Sequence, residues 1–197
     1  MKKGMVLACL ALFVLFIAVG AYAQKAATGK QVVVEEKRPA EGLQDIKNPD
    51  KGFKVELWAD KKDGNYKVGD EVAFFFKADK DCRVTLFNVG TSGNVQILFP
   101  NKFQKENLVK ADKEYRFPAK EAEYLFRFKK PGGEDLVKAI ATLDDVTLVA
   151  AADTKPQGEV KEVVKPQSAL AKDVEIALKP VETRRWSEAE LIVTVKE

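Results

Sequence analysis

Side chains able to do chemistry are scarce in this chain, and the scarcity is selective. Among 197 residues there is no His. That removes the commonest general base and the commonest metal ligand. Cys occurs twice, at Cys9 and Cys82, which excludes a zinc module or a disulfide scaffold. Asp60, Asp63 and Asn65 cluster around Gly64 as calcium-loop residues do, but Lys61 and Lys62 offset their charge and no Glu stands at the distal ligand position. The segment reads as a hairpin turn. Ser92 sits in Gly90-Thr91-Ser92-Gly93 with no His to activate it, and Gly132-Gly133 is not followed by the Lys-Ser/Thr of a phosphate loop. No catalytic residue, cofactor site or metal site is expected, and an enzyme is not. What remains is exposed charge. Arg127 and Lys129, with Lys130, alternate against Phe126 and Phe128, and Arg184-Arg185-Trp186 joins cation to aromatic near the C-terminus. Arg127, Lys129, Arg185 and Trp186 are therefore the candidate contacts for a partner protein, or for an anionic glycan or lipid.

The elements that must carry these residues follow from the hydropathy pattern. Lys2 and Lys3 precede an uncharged, apolar run from Met5 to Ala23 that ends Ala21-Tyr22-Ala23, the small-x-small pattern of an export signal. Cleavage after Ala23 is expected. The alternatives are an uncleaved anchor, since 19 apolar residues just span a bilayer, and a lipid attachment at Cys9 within Val6-Leu7-Ala8-Cys9. Cleavage leaves 174 residues with 31 basic and 30 acidic side chains, no membrane span, and no concentrated basic surface for nucleic acid. It also leaves Cys82 alone, so no internal disulfide can form. A small buried apolar residue is the expected role there, with an intermolecular bridge or a reactive thiol as alternatives.

Every Phe beyond the signal lies between Phe53 and Phe128, which marks the core. Residues 24–50 contain no aromatic residue and read as a flexible tether, with Val32 to Val34 as its one strand-like piece. From 51 to 197 the period is two: Val55 and Leu57; Val72, Phe74 and Phe76; Val84 and Leu86; Val95, Ile97 and Phe99; Tyr124, Phe126 and Phe128; Val174, Ile176 and Leu178; Leu191, Val193 and Val195. Such alternation predicts strands buried on one face. The breaks carry Gly, Asn and Asp, as hairpin turns require. Gly133 to Ala141 fits helix or strand, and Ala119 to Glu123 fits one helical turn. A polar stretch at about 152–169 predicts a loop or insertion. The expected fold is all-β, an antiparallel β-sandwich of Ig-like form.

The order of several segments resembles a known family. Val55-Glu56-Leu57-Trp58 opens the set. Tyr66-Lys67-Val68-Gly69-Asp70-Glu71-Val72 follows, with Asp70 where the family usually has Glu. Val84-Thr85-Leu86-Phe87 precedes the most characteristic piece, Gly93-Asn94-Val95-Gln96-Ile97-Leu98-Phe99-Pro100-Asn101. Asn107, Ala111, Tyr115-Arg116-Phe117-Pro118 and Gly133 to Ala141 complete it. Residues 53–142 thus resemble the secreted bacterial family known as domain of unknown function 4384, in which the position near Cys82 is often aromatic. The resemblance implies a β-sandwich domain of the bacterial envelope, periplasmic or secreted, and no reaction. Within the motif, Tyr66, Gly69, Leu98, Phe99, Pro100 and Asn101 read as structural. Leu98 and Phe99 end a buried strand, Pro100 stops its pairing, and Asn101 turns the chain as an Asx-turn. Tyr66 is expected to pack at a sandwich edge while its hydroxyl caps a loop. The function expected is an accessory, non-catalytic protein-interaction domain with an unidentified envelope partner. Binding of an anionic glycan or lipid is the alternative.

Overall fold

The structure is a computed structural model that describes residues 42–197. The expected signal segment and residues 24–41 lie outside the described residues. Eleven strands and one helix follow in order: β1 Val55–Ala59, β2 Asn65–Lys67, β3 Phe74–Ala78, β4 Cys82–Val89, β5 Val95–Phe99, β6 Leu108–Val109, β7 Tyr115–Phe117, β8 Gly133–Thr142, β9 Thr154–Gln157, β10 Val160–Val163, α1 Gln167–Leu178 and β11 Trp186–Lys196. They form two sheets. The small sheet has the order β1-β3-β7. The large one runs β2-β11-β8-β4-β5-β10-β9, with β6 attached to β4. Pairing is antiparallel except between β2 and β11.

Alternation explains how the two sheets face one another. Phe74, Phe76 and Phe117 of the small sheet are buried against Val84, Leu86, Val137, Ala139 and Val193 of the large one. Aromatic rings fill this layer in tilted and edge-on contacts, such as Phe74 with Phe128 and Phe117 with Phe126. The other face of the large sheet is buried too. Phe87, Val89, Ile97 and Ile140 form a second core with Leu170, Ala171, Val174 and Leu178 of α1, and with Leu43 and Ile46. The central strands β4 and β8 are therefore apolar on both faces.

Three expectations need correction. The fold is mostly β, and its one helix among the described residues, α1, covers one face of the large sheet. Val174, Ile176 and Leu178 belong to that helix, not to a strand. Leu170, Ala171, Val174 and Leu178 are spaced for one helical face, and Ile176 is 68% exposed on the other side. The polar stretch at 152–169 is the β9–β10 hairpin, turned at Gly158 with φ +61°, followed by the start of α1. Its polarity reflects exposure: β9 is an edge strand, where Pro156 costs no ladder bond. The tether stops short of residue 50. Leu43 and Ile46 are buried, and Asn48 Nδ2 donates to Thr183 O and Trp186 O, each at 2.6 Å.

Tyr124, Phe126 and Phe128 alternate as expected but form no regular strand. Their segment makes one bridge, Glu71 to Arg127. The ambiguous segment at Gly133 is the long strand β8.

Candidate functional site

The large sheet is seven strands wide on its main path and the small one only three. The small sheet leaves part of the large sheet's inner face uncovered. What lines that strip departs from the core pattern. Val84 and Leu86 of β4 point into the sandwich, and the next inward residue is Asn88. Val95 and Ile97 of β5 face the helix side, so Gln96 between them faces inward. Val160 of β10 is inward, and so is Glu162 two residues on. Val137 of β8 is inward, and so is Asp135 two residues before it. In register, Asn88 lies opposite Gln96, and Gln96 opposite Glu162. Three adjacent strands thus carry a polar row where apolar side chains would complete the core, and Asp135 sits diagonally beside it.

The row is bonded within itself, with one exception. Asn88 Nδ2 donates to Asp135 Oδ2 at 3.3 Å. The other Asp135 oxygen accepts from Thr91 N at 2.9 Å and Thr91 Oγ1 at 3.1 Å. Gln96 Nε2 donates to Gln157 Oε1, and Gln157 Nε2 to Glu162 Oε2 at 3.1 Å. Lys155 lies 3.3 Å from the same Glu162 oxygen, and Lys102 lies 3.4 Å from Glu159. Asn88 is only 4% exposed, and its Oδ1 has no hydrogen-bond partner. A buried carbonyl left unpaired costs about 1–3 kcal/mol, so each such group asks for an explanation.

The row forms the floor of a cavity of about 390 Å³, whose opposite wall is the segment from Tyr124 to Pro131. This volume falls within the range of small-ligand sites. Burial and the Glu159 carboxylate push the Tyr124 phenol up to about 12. It stays a neutral hydroxyl at the cavity wall. Phe103 stacks on the Tyr124 ring at 5.4 Å. At the rim, Arg127 pairs with Glu71 at 2.7 Å and Lys130 with Glu197 at 3.3 Å. Among the described residues, Lys129 has no acidic partner. The wall residues come from a segment fixed by a short ladder. Gly69 N donates to Phe128 O at 2.9 Å, Phe128 N to Asp70 O at 3.2 Å, and Val72 N to Phe126 O at 3.0 Å.

The structure does not bring the four candidate contacts together. Arg127 and Lys129 line the cavity. Trp186 pairs with Thr142 at one end of the β8–β11 ladder, whereas Val195 pairs with Gly133 at the other. Nine steps at about 3.3 Å separate those ends by roughly 30 Å. Trp186 is buried in the second core, and Arg185 holds Asp144 through two contacts, at 2.8 and 2.5 Å. Trp186 is thus enclosed, and Arg185 is ion-paired as Arg127 is with Glu71, at a distance from the cavity.

The motif residues take structural positions. Tyr66 is buried. Its hydroxyl donates to Asp60 Oδ1 at 2.8 Å and accepts from Lys61 N at 3.1 Å, and burial raises its pKa above the usual tyrosine range. Gly69 adopts φ +91°, which its place in the wall ladder requires of a residue without a Cβ. Leu98 and Phe99 are buried at the end of β5, and Pro100 follows. Asn101 forms the expected corner: Oδ1 accepts from Phe103 N and Gln104 N, both at 2.9 Å, and Nδ2 donates to Leu98 O. Cys82 is 1% exposed, and burial pushes its thiol up to about 12, with Asp81 and Asp79 adding to the effect.

The polar row is absent from the sequence-based expectations. Asn88 is its one legible signal, as the polar residue that ends the run Val84, Leu86. Among the described residues there is no group of three or more acidic or Cys side chains placed to hold a metal ion, and no helix is long and apolar enough to cross a membrane.

A two-sheet β domain with an open polar groove is the class this geometry defines. The model of the family described as Domain of unknown function (DUF4384) matches residues 65–145, and that segment is similar to this family. No curated protein matches the chain, and no solved structure matches it. The family segment supplies β2 to β8, which include the Asn88, Gln96 and Asp135 part of the floor and the whole Tyr124–Pro131 wall.

Proposed function

We propose that the protein is an exported, non-catalytic interaction domain of the bacterial envelope, periplasmic or secreted, whose binding surface is the groove between the polar row and the Tyr124–Pro131 wall. The observation that carries this reading is Asn88, a buried side chain lining the groove with an acceptor left without a partner. An acceptor that lines an open cavity is placed to bond what enters it, solvent or ligand. The groove offers amides, carboxylates, a hydroxyl and cations, but no paired nucleophile and base, which supports binding over catalysis. The export reading rests on the basic start, apolar run and Ala21-Tyr22-Ala23 of the sequence. An Ig-like description rests on the two facing antiparallel sheets, to which α1 and the parallel β2–β11 pair are additions.

The test is in-cell crosslinking from a photoreactive residue replacing Leu125, which is 57% exposed on the groove wall. Ile176, exposed on α1, is the control position. One envelope protein captured from position 125 and absent from position 176 is the expected result. Identical captures from both positions, or none from either, count against it.

Lys129, which has no acidic partner among the described residues, favours the second reading, an anionic glycan or lipid ligand. That ligand would meet Arg127 and Lys129 without Arg185 or Trp186. It predicts salt-sensitive binding of anionic lipid vesicles and no protein captured at position 125.

A further inference from the structure

The wall of the groove is a strand edge without a partner. In an extended chain, N–H and C=O groups of alternate residues point to opposite edges. Phe126 O accepts from Val72 N, Phe128 N donates to Asp70 O, and Phe128 O accepts from Gly69 N. The backbone groups of Leu125, Arg127 and Lys129 therefore point the other way, and none of them makes a backbone bond among the described residues. The edge also has a defined place in the fold. Ala73 turns its groups toward β1, since its carbonyl accepts from Asp60 N and its N–H donates to Asp60 Oδ1. Val72 thus faces the opposite side, the side of β3 where β7 pairs. The Tyr124–Lys129 segment continues the small sheet past β7 and stands at its open edge. Beyond that edge lies the uncovered floor of β5, β10 and β9.

Resting on the interaction reading above, we infer that the groove binds an extended acidic segment of a partner protein, which adds a strand to this edge. Main-chain bonds to Leu125, Arg127 and Lys129 would hold it, as in other strand-addition complexes. Alternation then sorts its side chains. Those beside Phe126 and Phe128 project over Asn88, Gln96 and Glu162. Acids are disfavoured there by Glu162 and Asp135, whereas a hydroxyl can donate to an acceptor such as Asn88 Oδ1. Those beside Leu125, Arg127 and Lys129 project outward, next to two cations, of which Lys129 is uncompensated among the described residues. Opposite charges on neighbouring strands stabilise the pairing. The pattern recognised is acid outward and hydroxyl inward.

The experiment is an NMR titration of the 15N-labelled mature chain with the capped peptide (Thr-Glu)4. Saturable shifts at the amides of Leu125, Arg127 and Lys129 are expected. Affinity should fall at least tenfold when alternate peptide nitrogens are methylated, and at least tenfold for Lys129→Glu. Lys129 is exposed and unpaired among the described residues, so that variant should keep the wild-type spectrum elsewhere. An octaglutamate peptide and (Thr-Lys)4 should bind several-fold more weakly. Strand addition is overturned if those amides do not shift at millimolar peptide, if binding survives N-methylation, or if (Thr-Lys)4 binds as tightly. Envelope protein captured at position 125 without (Thr-Glu)4 binding sinks strand addition and leaves the interaction reading standing. Peptide binding without any capture has the reverse meaning.

Discussion

The two ends of the β8–β11 ladder treat buried polar groups in opposite ways. Toward the Trp186 end, charges and amides are brought under the surface and answered. Lys138 is 0% exposed and lies 3.1 Å from Glu188 and 3.2 Å from Glu190. Lys51 lies 2.6 Å from Glu188, and Lys47 pairs with Glu190. Asn48 uses both amide hydrogens on carbonyls, and its Oδ1 accepts from Asp50 N at 3.0 Å. Ser187 Oγ is the unpartnered atom of that region. Toward the Gly133 end, Asn88 keeps an unpartnered acceptor and the strand edge of 125–129 stays open. The difference is one of covering. Residues 42–54 close the first end with Leu43, Ile46 and three polar side chains, and no equivalent segment among the described residues closes the second. Each end thus holds one unpartnered side-chain atom, Ser187 Oγ under cover at the first and Asn88 Oδ1 beside an open cavity at the second.

Lys138→Ala should destabilise the chain most. It removes one side of a buried ionic network and leaves Glu188 under the surface with less compensation. Losing one partner of a buried pair costs about 3–5 kcal/mol, measurable by urea unfolding at neutral pH. Lys138→Met with Glu188→Leu should recover most of that loss. The deficit should also depend on pH. Burial by itself would raise the carboxyl pKa values, but Lys51 and Lys138 hold Glu188, and Lys47 and Lys138 hold Glu190, below the usual carboxylate range. Groups lowered in the folded state contribute stability above their unfolded pKa and lose it as pH falls through the folded one. The gap between wild type and Lys138→Ala should therefore narrow below about pH 4. A gap that is constant from about pH 7 to about pH 3 would separate the lysine from the two glutamates.

Asn48→Ala is the next largest. It strips two carbonyls, of Thr183 and Trp186, of their donor at a buried position. With each bond contributing about 1 kcal/mol and the cost of the unpaired carbonyls added, a loss of about 2–3 kcal/mol is expected in the same unfolding assay. A loss under about 0.5 kcal/mol would mean that the 42–54 segment does not close this end.

Asn101→Ala should cost about 1–2 kcal/mol, because two backbone donors and one carbonyl at the end of β5 depend on that side chain. This corner is legible in the sequence itself. Leu98-Phe99-Pro100-Asn101 carries its own local chemistry, in which a strand ends, a residue that cannot donate follows, and a side chain then turns the chain. Tyr66 and its loop are readable for the same reason, and so is the alternation of β1, β3, β4 and β5. What escapes such a reading depends on partners distant in sequence. Val174, Ile176 and Leu178 satisfy a period of two over a window too short to exclude a period of 3.6, and the second core selects the helix. Leu43, Ile46 and Asn48 look like tether when aromatic residues mark the core, because none lies there. Trp186 and Arg185 look like a contact pair because their own neighbours in sequence are polar. Only the fold supplies Asp144 and α1. The polar row is hidden most thoroughly, since Gln96 and Glu162 are unremarkable until register sets them beside Asn88.

At Asn88 a substitution should change stability little and binding much. Asn88→Leu keeps the branched shape with added bulk beside the cavity, removes an acceptor that makes no bond in the free protein, and gives up one bond of 3.3 Å to Asp135 Oδ2, while Asp135 Oδ1 keeps two contacts from Thr91. Removing the unpaired Oδ1 is favourable, and Asp135 Oδ2, which faces the cavity, loses its one side-chain donor at a cost of about 1 kcal/mol, so the two effects largely offset. The change in unfolding free energy should stay within about 1 kcal/mol of zero, while Asn48, a residue of the same type, costs about two to three times as much when truncated. Binding should respond in the opposite order: (Thr-Glu)4 should lose several-fold in affinity for Asn88→Leu and none for Asn48→Ala measured well below its unfolding temperature. A large stability loss at Asn88 would make its amide a structural strut like that of Asn48. The two ends of the ladder would then be alike, and the groove would be a gap in the packing with no reserved acceptor.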